Sequence, residues 1–270
     1  MRTDLSGEIA VVVGASQGIG EAIARVLASA GAHVAVTARD GTVAERVAVS
    51  LGEGHVGIAL DVRSTVAVDG AAERVSELLG VPSILVNNAG INHIGPAESF
   101  TDEDWAAVLD VNLTGVYRCC RAFGKPMLAA GRGSIVNISS LSAMMGLPGR
   151  APYAASKAGI VGLTHTLGAE WAGRGVRVNA VLPGPVRTPM VADGIARGVL
   201  NEQEIVERTP AGRLGLPDDV AGAVLLLCLP AAGFVTAQTL VVDGGYTTYG
   251  AAHGASEIVS RVFRASGKDE

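Results

Sequence analysis

The chain has 270 residues, of which 49% are hydrophobic and only 4% aromatic, and it holds 36 glycines, so any core must be built from Ala, Val, Leu and Ile at close backbone spacing. A formal net charge of −5 excludes the basic footprint of a nucleic-acid binder. Three cysteines, Cys119, Cys120 and Cys228, fit buried free thiols in a reducing cytoplasmic setting, and the polar opening M-R-T-D-L-S-G-E reads as no secretory signal.

In chain order, β-branched runs predict strands at 9–13, 33–37, 55–60, 83–87, 134–138, 176–181 and 239–242. Helical spacing predicts helices between them at 19–30, 41–51, 65–79, 102–123, 152–173 and 217–228. Most strands are continuously apolar, as parallel strands covered on both faces should be. The alternation predicts an α/β fold: a doubly wound, mostly seven-stranded parallel sheet with helices on both faces. No repeat or linker divides it, so residues 1–249 read as one domain. Residues 187–212, bounded by prolines and weakly helical, read as a flap over a site. The uncharged stretch Val220–Val242 is cut by Pro230 and Gly233, and neither half reaches the roughly 20 residues of a membrane span. In the tail, 250–270, Ile258, Val259, Val262 and Phe263 have the spacing of a short helix, with fraying equally open.

The first strand runs into Gly14-Ala15-Ser16-Gln17-Gly18-Ile19-Gly20 and then a helix. Glycines let such a turn close against a pyrophosphate, while the helix N-terminus offers free N–H groups and partial positive charge. The second strand ends near Arg39 and Asp40. An acid there would bind a ribose 2′-hydroxyl and an arginine a 2′-phosphate. Asp40 lies past the strand tip, Ala38 leaves room and Arg39 supplies charge, which favours NADP(H) over NAD(H). After the third strand, Asp61 and Val62 suit an adenine contact; Asp61 equally suits a cap for the helix near Ser64. Asn87, Asn88, Ala89 and Gly90 close the fourth strand with small groups suited to a ribose or to an ordinary turn. Finally, Tyr153 and Lys157 stand at i and i+4 in one predicted helix, thirteen residues after Ser140 (153 − 140). Residues so spaced share a face. A cation beside a phenol is expected to lower its usual pKa of about 10.

This ordered set, together with Asn112 and Pro183-Gly184, resembles the short-chain dehydrogenase/reductase family over about residues 5–249. Val13 departs from the family's usual threonine. The resemblance implies a Rossmann fold and NAD(P)-dependent interconversion of a carbonyl and an alcohol. It also implies roles: Tyr153 as general acid/base, Lys157 on the nicotinamide ribose, Ser140 on the substrate oxygen, and Asn112 in a water link from Lys157. The thirteen-residue offset selects Ser140 over Ser139. Pro183, Gly184, Val186 and Thr188 resemble the nicotinamide-carboxamide loop. A homotetramer on the helices near 102–123 and 152–173 is implied too, with Asp243-Gly-Gly245 resembling an interface strand.

A hydrolase lacks its G-x-S-x-G elbow here, and a metal site lacks clustered ligands. The rival from another class is a non-catalytic dinucleotide-binding redox sensor. The expected substrate-pocket wall of the enzyme holds Asn92, His93, Ile94, Ser142, Met144, Met145, Leu147, Arg150, Pro185 and Met190, with the 187–212 flap. Of these His93, Met145 and Arg150 are the named substrate candidates, beside Ser140 and Tyr153. The pattern resembles both 3-oxoacyl-carrier-protein reductases and polyol or sugar dehydrogenases. The absence of a basic patch for a carrier protein tilts the expectation toward a small free carbonyl or alcohol.

Overall fold

The computed structural model describes residues 3–250, so the reading of the tail lies, apart from Gly250, outside the described residues. Seven strands form one sheet: β1 (Ile9–Val13), β2 (His33–Ala38), β3 (Val56–Ala59), β4 (Ile84–Asn87), β5 (Gly133–Ile138), β6 (Val176–Pro183) and β7 (Thr239–Val242). Their order is β3-β2-β1-β4-β5-β6-β7, and every pairing is parallel. The expected doubly wound sheet is present. Its order reverses between β1 and β4, and in such sheets ligands bind beyond the strand C-termini at that crevice.

Alternate side chains of each strand feed opposite layers. On one face Ala10, Val12, Val34 and Val36 pack under α1 (Gly18–Ser29), α2 (Gly41–Leu51) and the late helix α9 (Pro217–Cys228). On the other, Val11, Val13, Leu85 and Ile135 pack under α3 (Thr65–Leu78), α5 (Gly115–Ala130) and α6 (Ala151–Trp171). Burial of this largely aliphatic surface, at about 25 cal/mol per Å², holds the layers together. Cys119, Cys120 and Cys228 are free and buried in these layers, and burial pushes the thiols of Cys120 and Cys228 up to about 12.

One expected helix divides. The stretch 102–123 is α4 (Asp102–Leu109), a π-helical turn at Asp110–Thr114, and then α5. The extra residue in that turn carries Asn112, whose carboxamide is committed elsewhere: Nδ2 donates to Ile91 O (2.9 Å) and Ser156 Oγ (3.1 Å), and Oδ1 accepts from Ile91 N (2.8 Å). The 187–212 segment holds two short helices, α7 (Pro189–Ala196) and α8 (Glu202–Arg208). An Arg187–Glu202 ion pair ties its two halves, and the Arg208 guanidinium lies 4.8 Å from the Tyr246 ring centre. No helix among the described residues is long and apolar enough to cross a membrane.

Candidate active site

A cleft of about 1090 Å³ opens over the C-terminal ends of the strands. Its nucleotide end is shaped by the glycine turn. Gly14 has φ +79°, and a Cβ there would come within 2.6 Å of Ala89 Cα, so only glycine lets the β1 and β4 tips meet. Asn88 Nδ2 donates to Gly14 O (2.7 Å) and fastens the turn from below. Gly20 is buried beneath the turn rather than on the cleft wall: a Cβ there would collide with the Gly14 carbonyl. Gln17, the residue before α1, gives the helix no side-chain cap, so its first N–H groups are left for a ligand or solvent.

At the tip of β2 the two candidate residues part. Asp40 caps α2, its Oδ1 accepting from Thr42 N (2.9 Å) and Thr42 Oγ1 (2.6 Å), and it does not line the cleft. Arg39 does. Asp61 also lines the cleft and does not cap α3, since Ser64 performs that task through Ala67 N (3.1 Å). Its carboxylate is instead held in a fork by Arg63 (Nη2–Oδ2 2.6 Å, Nε–Oδ1 3.0 Å). That hydrogen bonding outweighs burial and holds the Asp61 carboxyl at about 2. Arg63 is a cleft residue that the sequence reading missed; its place two residues after Asp61, on the same strand-end turn, is the signal that pointed to it.

At the other end, β5 and α6 bring three groups together. Pro152 at the start of α6 needs no N–H partner, and the helix then runs unbroken to Trp171, so Tyr153 and Lys157 share the face turned to the sheet. Ser139 and Ser140 diverge: Ser139 Oγ donates to Lys157 O (2.8 Å), while Ser140 Oγ remains near the cleft, accepting from Ser142 N (3.1 Å). Lys157 Nζ donates to Ile138 O (2.9 Å) and sits 5.5 Å from the Tyr153 ring centre.

The electrostatics correct one expectation. Burial raises the Tyr153 phenol above its ordinary value; hydrogen bonding to Ser140 and the charge of Arg150 pull it down, and together they do not win. Lys157 is not among the groups that lower it. Burial brings the Lys157 ammonium itself down to about 8. With 4% of its surface exposed, Lys157 is a costly cation held by one backbone carbonyl.

Most of the other expected residues meet on the cleft wall: Ser16, Gln17, Gly18, Ile19, Val62, Asn88, Ala89, Gly90, Pro183, Gly184, Val186, Thr188 and Arg150. Asn112 does not; it lies buried behind Gly90, next to Lys157. Two substrate candidates are also displaced. His93 Nδ1 pairs with Asp104 Oδ1 at 3.3 Å, away from the wall, and Met145 is drawn off it by a tight turn in which its N–H reaches Leu141 O (3.1 Å). Met144, with 60% of its surface exposed, likewise stands off the wall. The 187–212 segment, expected as a flap over a site, brings Val191, Val199, Leu200 and Ile205 to the wall. Tyr246 after β7 was overlooked; nothing in its local pattern marks it, and it arrives by chain return.

The uncapped α1 terminus, the glycine turn that admits only backbone, and the cationic Arg39 beside the β2 tip fit a dinucleotide phosphate and ribose. Fold and site together define an α/β oxidoreductase that holds a nicotinamide dinucleotide. A family model described as enoyl-(acyl carrier protein) reductase matches residues 14–247. The chain belongs to the short-chain dehydrogenase/reductase family. It is 41% identical to a D-threitol dehydrogenase of Mycolicibacterium smegmatis over 249 residues, covering 90% of this chain and 94% of that protein. It is 42% identical to a 3-oxoacyl-[acyl-carrier-protein] reductase of Synechocystis over 258 residues, covering 92% and 100%. Among solved structures, a gluconate 5-dehydrogenase from Burkholderia cenocepacia, in complex with NADP and tartrate, superposes with a TM-score of 0.87 at 36% identity, covering 92% and 98%. Relatives of these kinds are named dehydrogenases and reductases, so the chain is an enzyme interconverting alcohols and carbonyls, and the sensor alternative is not favoured.

Proposed function

We propose that the protein reduces a small carbonyl substrate with NADPH, with Tyr153 as general acid in that direction and general base in the other. The observation that carries this reading is the convergence of the Tyr153 phenol, the Ser140 hydroxyl and the buried Lys157 ammonium at one end of the cleft. Ser140 donates a hydrogen bond to the carbonyl oxygen and aligns it with the phenol. Tyr153, kept protonated by burial, delivers its proton to that oxygen as negative charge develops there. Lys157 donates to Ile138 O and holds its ammonium 5.5 Å from the Tyr153 ring centre, beside the phenolate that is left when the proton moves to the carbonyl oxygen. When bound, the nicotinamide supplies the hydride. Asn112 positions the Ile91 backbone and borders Lys157, which supports a place in the proton path behind Gly90.

The nucleotide would be held by the turn from Gly14 to Gly20, with Asp61 and Val62 toward adenine, Asn88 to Gly90 and Lys157 toward ribose, and Pro183, Gly184, Val186 and Thr188 toward the carboxamide. Preference for NADPH is supported by Asp40 being spent as a helix cap while Arg39 faces the cleft. Assembly as a homotetramer is supported by apolar surface left open on α9 and near β7, where Leu226, Phe234 and Leu240 are exposed. The fold is read as one domain of a cytoplasmic enzyme. Relatives named for threitol and gluconate support a small polar substrate. A carbonyl panel assayed with NADPH and with NADH tests the proposal. Turnover with a lower KM for NADPH is expected; nucleotide binding without turnover of any carbonyl, or a strong NADH preference, overturns the respective part.

A further inference from the structure

At the catalytic end of the cleft one arginine has no ion-pair partner among the described residues. Three arginines line the cleft: Arg39, Arg63 and Arg150. Arg63 is spent on Asp61, and Arg39 lies beside that same pair, close enough for its charge to be felt by Asp61. Arg150 stands apart from them and pairs with no carboxylate among the described residues. The acids on the cleft wall are Asp61 and Asp110, and Asp110 is already held by Arg118 Nη1 at 2.7 Å. Among the described residues, a partly covered guanidinium is therefore left without a carboxylate beside the reactive groups.

Its position relative to the chemistry is fixed by the helix. Arg150 is the residue before α6, and its carbonyl accepts from Ala154 N (2.8 Å), so Arg150 and Tyr153 lie one turn apart at i and i+3. Asn92, also on the cleft wall, supplies the second anomaly: its Oδ1 is buried with no hydrogen-bond partner among the described residues. A buried amide oxygen left unpaired costs about 1–3 kcal/mol, so such groups in native proteins await a ligand or water. The terminal torsion of an asparagine is broad and roughly two-fold, so either edge of this carboxamide can be turned to a ligand. Ile94, Leu147, Met190, Val199 and Leu200 of the cleft wall are apolar and offer nothing to a charged group.

We infer that the substrate carries a carboxylate, held by Arg150, with Asn92 Oδ1 accepting from a neighbouring hydroxyl: an oxo acid in one direction, the corresponding hydroxy acid in the other. This rests on the carbonyl–alcohol reading of the site. The separation of one helical turn places the carboxylate a few bonds from the reacting carbon. It takes no part in the redox change; the carbonyl alone gains hydride from the nucleotide and a proton from Tyr153.

The test pairs a short-chain oxo acid with its methyl ester, assayed with saturating NADPH on wild type, Arg150→Met and Arg150→Lys. Wild type should prefer the acid, and Arg150→Met should lower the acid-to-ester ratio of kcat/KM about 10- to 100-fold, through KM above all. Arg150→Lys should restore part of that ratio. No preference of wild type for the acid, or equal losses on acid and ester in Arg150→Met, overturns the inference while leaving the carbonyl reading intact. Should wild type turn over neither, the carbonyl reading fails by itself. Calorimetric binding of the hydroxy acid to the NADP-loaded protein then decides this one: binding lost in Arg150→Met supports it, and no binding to wild type overturns it.

Discussion

The two ends of the cleft handle charge in opposite ways. At the nucleotide end Arg39, Arg63 and Asp61 are at least partly exposed, and the Arg63–Asp61 fork leaves the side chains 53% and 34% exposed. Water screens such a pair, and rearranging it around a ligand costs little. At the catalytic end Lys157 is buried, its ammonium drawn down to about 8, and the Tyr153 phenol is raised. Recognition can be done by surface charge that exchanges partners. Proton transfer needs groups kept from water, and folding bears that cost.

The largest expected effect lies at the catalytic end. Tyr153→Phe should lower kcat/KM for carbonyl reduction about 10²–10⁴-fold while nucleotide affinity, read by fluorescence titration, changes only a few-fold. Full activity in that variant would remove the proposed acid from the mechanism. Next, Lys157→Met should make the protein more stable while impairing catalysis. A folded-state pKa of about 8 against 10.5 unfolded means the folded protein binds fewer protons between those values, so wild-type stability rises as pH climbs from about 8 to 10.5. Below pH 8 the penalty is fully present, about 3 kcal/mol, from which about 1 kcal/mol is subtracted for the Ile138 carbonyl left without its donor. Denaturant melts at pH 7 should therefore show a gain of about 2 kcal/mol, and the alkaline rise should vanish. A loss of stability would mean the amine is not the burden its burial implies.

At the nucleotide end the effects should be smaller. Arg39→Ala should cut the NADPH-over-NADH preference in kcat/KM about tenfold, the value of one charge-assisted contact near water; an unchanged ratio would place the 2′-phosphate elsewhere. Arg63→Ala should leave stability at pH 7 nearly unchanged, since water screens the pair. Asp61, depressed to about 2 from 3.8, contributes stability that is present above about pH 4 and lost as pH falls toward 2. The variant should lose less stability over that acid window, as followed by acid titration of thermal melts. A change as large as that in Lys157→Met would erase the distinction between the two ends.

Much of this was legible in the residues. Strand–helix alternation gave all seven strands to within a residue or two, because parallel strands buried on both faces must be continuously apolar. The glycine turn and the Tyr153–Lys157 pair were legible because each lies within one local element, where spacing is geometry. The division of 102–123 was not, since its cause is Asn112 reaching Ile91 and Ser156, contacts 21 and 44 residues away in sequence. His93 was misread for a similar reason: its partner Asp104 is on α4, and no local pattern announces that meeting.

The amino-acid order by itself determined the sheet, the helices and which side chains share a face, since those follow from backbone periodicity and the solvent preference of each residue. Only the tertiary structure decided what each ionisable group costs and whom it serves: Asp40 became a helix cap, Asp61 took Arg63, Lys157 lost its water, and Arg150 came to the cleft wall with no carboxylate partner among the described residues. Charge energies depend on burial and on neighbours brought from distant sequence, and neither quantity is written in local spacing.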